Sequence, residues 1–180
     1  MRSDGGPDPD SEAGRPAVRD DDGGSGESHL SNRAVAFLVA AVVVLLDQLT
    51  KWWAVENLAD GPIVIVEDFF QFRLTFNTGA SFSILTGAGP LIAIVAFGVV
   101  GLIIVVLGEA SRRAEAVALG LVLGGALGNL ADRVFRGDGW LDGAVVDFID
   151  FDFFPTFNVA DMAINIGVFL LLLVTFVKRR

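Results

Sequence analysis

Residues 87–108 read GAGPLIAIVAFGVVGLIIVVLG, a run without a single charge. A helix needs about 20 mostly apolar residues to cross the hydrocarbon layer of a bilayer, and this run supplies them in one piece. Pro90 falls near its start, where a first helical turn tolerates the missing N–H.

Outward from this run, stretches 34–55, 115–135 and 157–177 are also long and apolar enough to span, although polar residues interrupt each of them. With 53% hydrophobic residues among 180, the chain is more apolar than a water-soluble domain of this size usually hides. The sequence predicts an all-α membrane protein, a four-transmembrane-helix bundle over residues 33–180.

The net charge of −9 is unevenly spread. Residues 1–32 carry eight acids against Arg2, Arg15 and Arg19 in a tail rich in Gly, Pro, Asp and Ser. Almost nothing apolar precedes Leu30, so burial cannot offset the entropy of ordering, and a disordered acidic tail is expected. It lacks the basic start and short apolar core of a secretory signal. Lys and Arg are few and form no stripe, which argues against nucleic acid as a partner. Without cysteine the chain has neither disulfides nor a thiol nucleophile.

Basic residues in short flanks set the expected orientation. Arg33 precedes the first span, Arg112 and Arg113 join the second to the third, and Lys178, Arg179 and Arg180 follow the fourth. These mark the cytoplasmic side and put both termini there. The longer, mostly acidic connections 56–86 and 136–156 then lie outside. Within the first, Ile63–Val66 leads into Phe70–Phe76, where apolar and polar residues alternate with the period of a strand, so a small extracytoplasmic antiparallel β-sheet is expected. Trp52, Trp53 and the outer Phe residues are expected to form an aromatic belt at the interface.

On this topology the interrupting residues gather at one depth. Asp47 and Lys51 are i and i+4 near the outer end of the first span. Asn129, Asp132 and Arg133 lie near the outer end of the third, and Asn158, Asp161 and Asn165 draw a polar stripe down the fourth. Ionisable groups in a spanning segment cost roughly 2.5–3.5 kcal/mol each on insertion scales, so they usually face the interior and have a role. For Asp47, Asp132 and Arg133 the alternative is a structural tie between helices, with Asp132 and Arg133 as an internal ion pair.

The only histidine, His29, lies in the tail, which argues against zinc sites and histidine triads. A serine–lysine dyad can be drawn from Ser81 or Ser83 with Lys51. Two adjacent aspartates offer another route: they cannot both ionise easily, so one keeps a proton at neutral pH and the pair supplies a base and an acid without metal or other cofactor. Asp161 is one candidate, and the preceding loop offers Asp138, Asp142, Asp147, Asp150 and Asp152. Asp147 is favoured by its apolar neighbours, whereas Asp138 and Asp142 lie among glycines and are expected to be solvated. A proton- or ion-coupled transporter would place such groups near the midplane of repeated halves, and no repeat is present.

Five blocks, in order, carry a resemblance: Asp47-Gln48-Leu49-Thr50-Lys51, Asn77-Thr78-Gly79-Ala80-Ser81-Phe82-Ser83, Gly124 to Arg133, Val145-Val146-Asp147-Phe148-Ile149-Asp150 and Phe157-Asn158-Val159-Ala160-Asp161. In these the chain resembles the lipoprotein signal peptidases, or signal peptidase II. The resemblance implies Asp147 and Asp161 as the catalytic dyad. It implies that Asn77, Asn129, Arg133 and Asn158 shape the site and hold the substrate backbone, with Asp47, Lys51 and Asp132 in supporting positions. It further implies four transmembrane helices with a small outer sheet and a short outer helix, in a bacterial plasma membrane. The implied substrate is a diacylglyceryl-modified prolipoprotein, held with membrane lipid and cut N-terminal to the lipidated cysteine. Two departures are the longer interval from Arg133 to Asp147 and the acidic tail.

Overall fold

The computed structural model describes residues 23–79 and 89–178. Four helices, α1 (Gly23–Asn57), α2 (Gly89–Leu107), α3 (Arg113–Phe135) and α4 (Val159–Lys178), alternate with strands β1 (Ile63–Val66), β2 (Phe70–Asn77), β3 (Val145–Phe151) and β4 (Phe154–Phe157). Each helix contains a segment long and apolar enough to cross a membrane. Their outer faces leave large apolar side chains exposed, among them Leu91, Val95, Leu102 and Val105 of α2, as suits a lipid-facing surface.

The expected spans hold to within a few residues, and the differences have local causes. Helix α4 starts at Val159, not at 157, because Asn158 takes the N-cap position. Helix α1 reaches back to Gly23, into the stretch expected to be disordered. Asn32 is buried there, and its side-chain amide donates to the Ala110 carbonyl at 3.2 Å. Residues 1–22 of the tail lie outside the described residues.

Helix α3 is the centre of the bundle, packed between α1 and α4, and small residues let the backbones approach. A Cβ at Gly120 would lie 2.6 Å from the Ala36 carbonyl oxygen, and one at Gly124 would lie 2.8 Å from that of Ala40. On the other side Gly125 meets the Ala160 carbonyl of α4. Gly124→Ile should therefore force α1 away from α3 and lower the thermal midpoint in detergent, at about 1–3 kcal/mol or more for overpacking. An unchanged midpoint would contradict this packing.

The strands form one antiparallel sheet in the order β1-β2-β3-β4, so an all-α label understates the fold. The sheet takes in much of 136–156, expected only as a loop. One face of the sheet covers the end of α1: Val146 and Phe148 pack with Ala54 and Leu58, and Trp53 stands edge-on to Phe72 and Phe148. Trp53 is thus a packing residue under the sheet, whereas Trp52 stays exposed as a belt residue would. No short outer helix occurs among the described residues. The long interval 136–144 is pinned instead of loose. Gly143 N–H donates to the Arg133 carbonyl at 3.1 Å, and Leu141, held at φ 58°, is buried with Ala93 and Leu130.

Candidate active site

Asp147 lies in β3, opposite Thr75 of β2, and is buried. Its two oxygens accept from Asn77 Nδ2 at 3.1 Å and from Asn158 Nδ2 at 2.7 Å. Burial, and then the Asp161 carboxyl beside it, push the Asp147 carboxyl up to about 6, against hydrogen bonds from Asn77 and Asn158 and the charge of Lys51.

Asp161 occupies the first turn of α4, where its position is set by a reciprocal cap. Asp161 N–H donates to Asn158 Oδ1 at 3.0 Å, and Asn158 N–H donates to Asp161 Oδ2 at 3.3 Å. The other Asp161 oxygen accepts from Asn129 Nδ2 at 2.8 Å. Asn158, fully buried, therefore touches both aspartates, and its amide also reaches Asn129 Oδ1 at 3.1 Å.

Behind the asparagines sits a buried charge cluster. Lys51 Nζ is 2.8 Å from Asp47 Oδ2, 2.8 Å from Asp132 Oδ2 and 2.9 Å from Asn129 Oδ1, so its three hydrogens are all engaged. The pair suggested by Asp132 and Arg133 does not form. Asp132 takes Lys51 and Arg136 instead, the latter at 2.8 Å. Arg133 is buried, and its Nη1 has no hydrogen-bond partner among the described residues. Asn165 is exposed and only donates back to the Asp161 carbonyl.

The structure also separates the loop aspartates. Asp138, Asp142 and Asp152 are exposed. Asp150 is buried but engaged by Arg73 Nε at 2.9 Å, Gln71 Nε2 at 2.7 Å and Thr156 Oγ1 at 2.9 Å. Burial alone would raise its carboxyl, yet the hydrogen bonds from Arg73, Gln71 and Thr156 outweigh it and hold Asp150 below the usual range. Of the five, only Asp147 meets Asp161 across a shared asparagine. Gln48 and Arg136, which complete the Asp132 shell, escaped the sequence reading. The i+4 spacing of Arg136 from Asp132 was the available signal, whereas Gln48 reaches Asp132 from another helix and left none.

Two cavities meet at Asp147. One of about 900 Å³ lies between helices and is lined by Val95, Ala126 and Ile164 as well as Arg133, Asp147 and Asp161. The other, of about 500 Å³, runs over the polar face of the sheet past Gln71, Arg73 and Thr156 to Asp147. Ser81 and Ser83 lie outside the described residues.

Four apolar helices, closed at one end by a sheet and carrying buried polar residues where the two meet, define a multi-pass membrane protein with a site at the helix ends. The family described as signal peptidase (SPase) II matches residues 39–177. A lipoprotein signal peptidase of Rhodococcus jostii (strain RHA1) is 46% identical over 147 residues, covering 81% of this chain and 74% of that protein. One from Shouchella clausii (strain KSM-K16) is 42% identical over 150 residues, covering 81% and 95%. A solved structure of a bacterial membrane enzyme superposes with a TM-score of 0.71 at 29% identity, over 81% of this chain and 90% of that one. Another bacterial membrane enzyme gives a TM-score of 0.68 at 30% identity, over 79% and 92%. The chain belongs to the signal peptidase II family and is a peptidase.

Proposed function

We propose that this chain is an aspartyl endopeptidase that removes signal peptides from diacylglyceryl-modified prolipoproteins, cutting N-terminal to the lipidated cysteine, with Asp147 and Asp161 as its catalytic pair. The observation that carries this reading is the single buried Asn158 amide and backbone joining both carboxyls. In the proposed reaction Asp161 takes a proton from a water as its oxygen attacks the scissile carbonyl carbon. Asp147, which burial favours in its protonated form, donates to the carbonyl oxygen. Collapse breaks the C–N bond as Asp161 passes its proton to the leaving nitrogen and Asp147 recovers its own.

Asn77, Asn129 and Asn158 keep the carboxyls oriented, and the Arg133 Nη1 hydrogens are available to a substrate carbonyl. The apolar cavity between the helices suits acyl chains, and the polar cleft over the sheet suits extended polypeptide. Membrane lipid is thus part of the recognised unit, in a bacterial plasma membrane. The Arg33 guanidinium lies against Gly108, at the α2–α3 connection that leads through Arg112 to Arg113, the first residue of α3. Basic flanks thus cluster at the end away from the sheet, which supports cytoplasmic termini and an outward-facing site. A serine–lysine mechanism is disfavoured because Lys51 has no hydrogen or lone pair to spare for it.

The pH dependence tests this reading. Above about 6 the Asp147 carboxyl loses the proton it must donate, so kcat/KM should fall as pH rises, with an apparent midpoint near that value. Substrate excludes further water, so the kcat limb should lie at higher pH. A kcat/KM that stays flat to strongly alkaline pH would contradict the assignment of Asp147 as the acid.

A further inference from the structure

We infer that Asp47, Lys51 and Asp132 act as one positioning unit that fixes the spacing of the two catalytic acids by holding the backbone N–H of the residue just before each. The inference rests on the Asp147 and Asp161 reading above and deepens it.

Asp132 Oδ2 accepts from Val146 N–H at 3.2 Å, and Val146 precedes Asp147. Asp47 Oδ1 accepts from Ala160 N–H at 2.9 Å, and Ala160 precedes Asp161. The second contact is unusual in kind. Ala160 lies in the first turn of α4, whose N–H groups have no partner within the helix, and a carboxylate 113 residues earlier in the chain satisfies it. Lys51 bridges the two carboxylates at 2.8 Å each, so one ammonium sets the distance between the group that holds β3 and the group that holds α4.

A third arm reaches a catalytic acid through one residue. Lys51 Nζ fixes the Asn129 oxygen at 2.9 Å, which turns the Asn129 amide nitrogen onto Asp161 Oδ1. All three members of the unit are almost fully buried, at 0%, 0% and 1% exposure for Asp47, Lys51 and Asp132, so water does not compete for these bonds. A cluster that merely tied α1 to α3 would be complete with its ion pairs and would need neither backbone N–H. Gly128 makes room for it: a Cβ there would lie 2.6 Å from Asp47 Oδ2.

The test separates the tether from the charge. Arg136→Gln removes a charge from the Asp132 shell and leaves both backbone tethers and all three members of the unit in place, so its kcat on a diacylglyceryl precursor should stay within about tenfold of wild type. Val146→Pro deletes the donor and leaves every charge in place. Its kcat should fall about 10²-fold while KM changes by no more than about threefold, as expected for acids displaced by a fraction of a turn. Wild-type kcat in Val146→Pro, or an equal loss in Arg136→Gln, overturns the inference. Amide exchange in the unmodified protein decides the matter even if Val146→Pro does not accumulate. Ala160 should exchange far more slowly than its first-turn neighbour Val159, and equal rates would overturn the tether. Cleavage by Asp161→Asn would instead remove the catalytic pair itself, so the two failures are distinguishable.

Discussion

Asp161→Asn should lower cleavage of a diacylglyceryl precursor by at least about 10³-fold while leaving the thermal midpoint nearly unchanged. The amide is almost isosteric and keeps one oxygen to accept from Asn158 N–H or Asn129 Nδ2, so the cap on α4 survives. What it loses is the ability to take a proton from water. Asp147→Asn should behave alike, because an amide at that position cannot donate and recover a proton during the two halves of the reaction. Alanine at Ser81 or Ser83 should leave turnover within about an order of magnitude. Cleavage retained by Asp161→Asn would remove the pair from the mechanism, and failure to fold would assign Asp161 a structural role. A complete loss in either serine variant would revive the serine–lysine route.

The second large effect is on stability. Lys51→Met strands Asp47, whose one cation among the described residues it is, and leaves the buried Asp132 carboxylate with Arg136 as its cation, the two carboxylates now facing each other across an apolar side chain. Removing one partner of a buried ion pair typically costs 3–5 kcal/mol, about as much as a small domain can lose before unfolding. Replacing all three as Asp47→Asn, Lys51→Met and Asp132→Asn should recover much of this, since the buried carboxylates are gone, the part-exposed Arg136 can turn to solvent, and both amides can still accept from Val146 and Ala160. A single variant as stable as wild type in a thermal melt would mean that the cluster is not a closed charge system.

The spans were legible because hydropathy and length alone decide them: α2 is charge-free, and α1, α3 and α4 keep long apolar runs around their polar positions. The stripe of Asn158 and Asp161 was legible from helical spacing. Among Asp138, Asp142, Asp147, Asp150 and Asp152 the apolar neighbours favoured Asp147 without deciding, because the partners of each depend on sheet register. Thr75 stands opposite Asp147, whereas Gln71 stands opposite Asp150, next to Arg73, and that pairing retires Asp150 into an ion pair. The partners of Asp132 were equally hidden. Its adjacent Arg133 invited an internal pair, yet a helix turns consecutive side chains about 100° apart, and the pairing goes to Arg136 one turn on and to Lys51 on another helix. Trp53 read as a belt residue because its contact with Phe72 and Phe148 depends on how the sheet lies over α1.

Infrared titration of the carboxyl C=O stretch tests the shared proton most directly. The wild-type protein should show a protonated-carboxyl band that disappears as pH rises, with a midpoint near 6. The band should be absent from Asp147→Asn and should titrate at lower pH in Asp161→Asn, where the neighbouring charge is gone. A band unchanged in Asp147→Asn, or none titrating near 6, would contradict a pair of aspartates holding one proton between them.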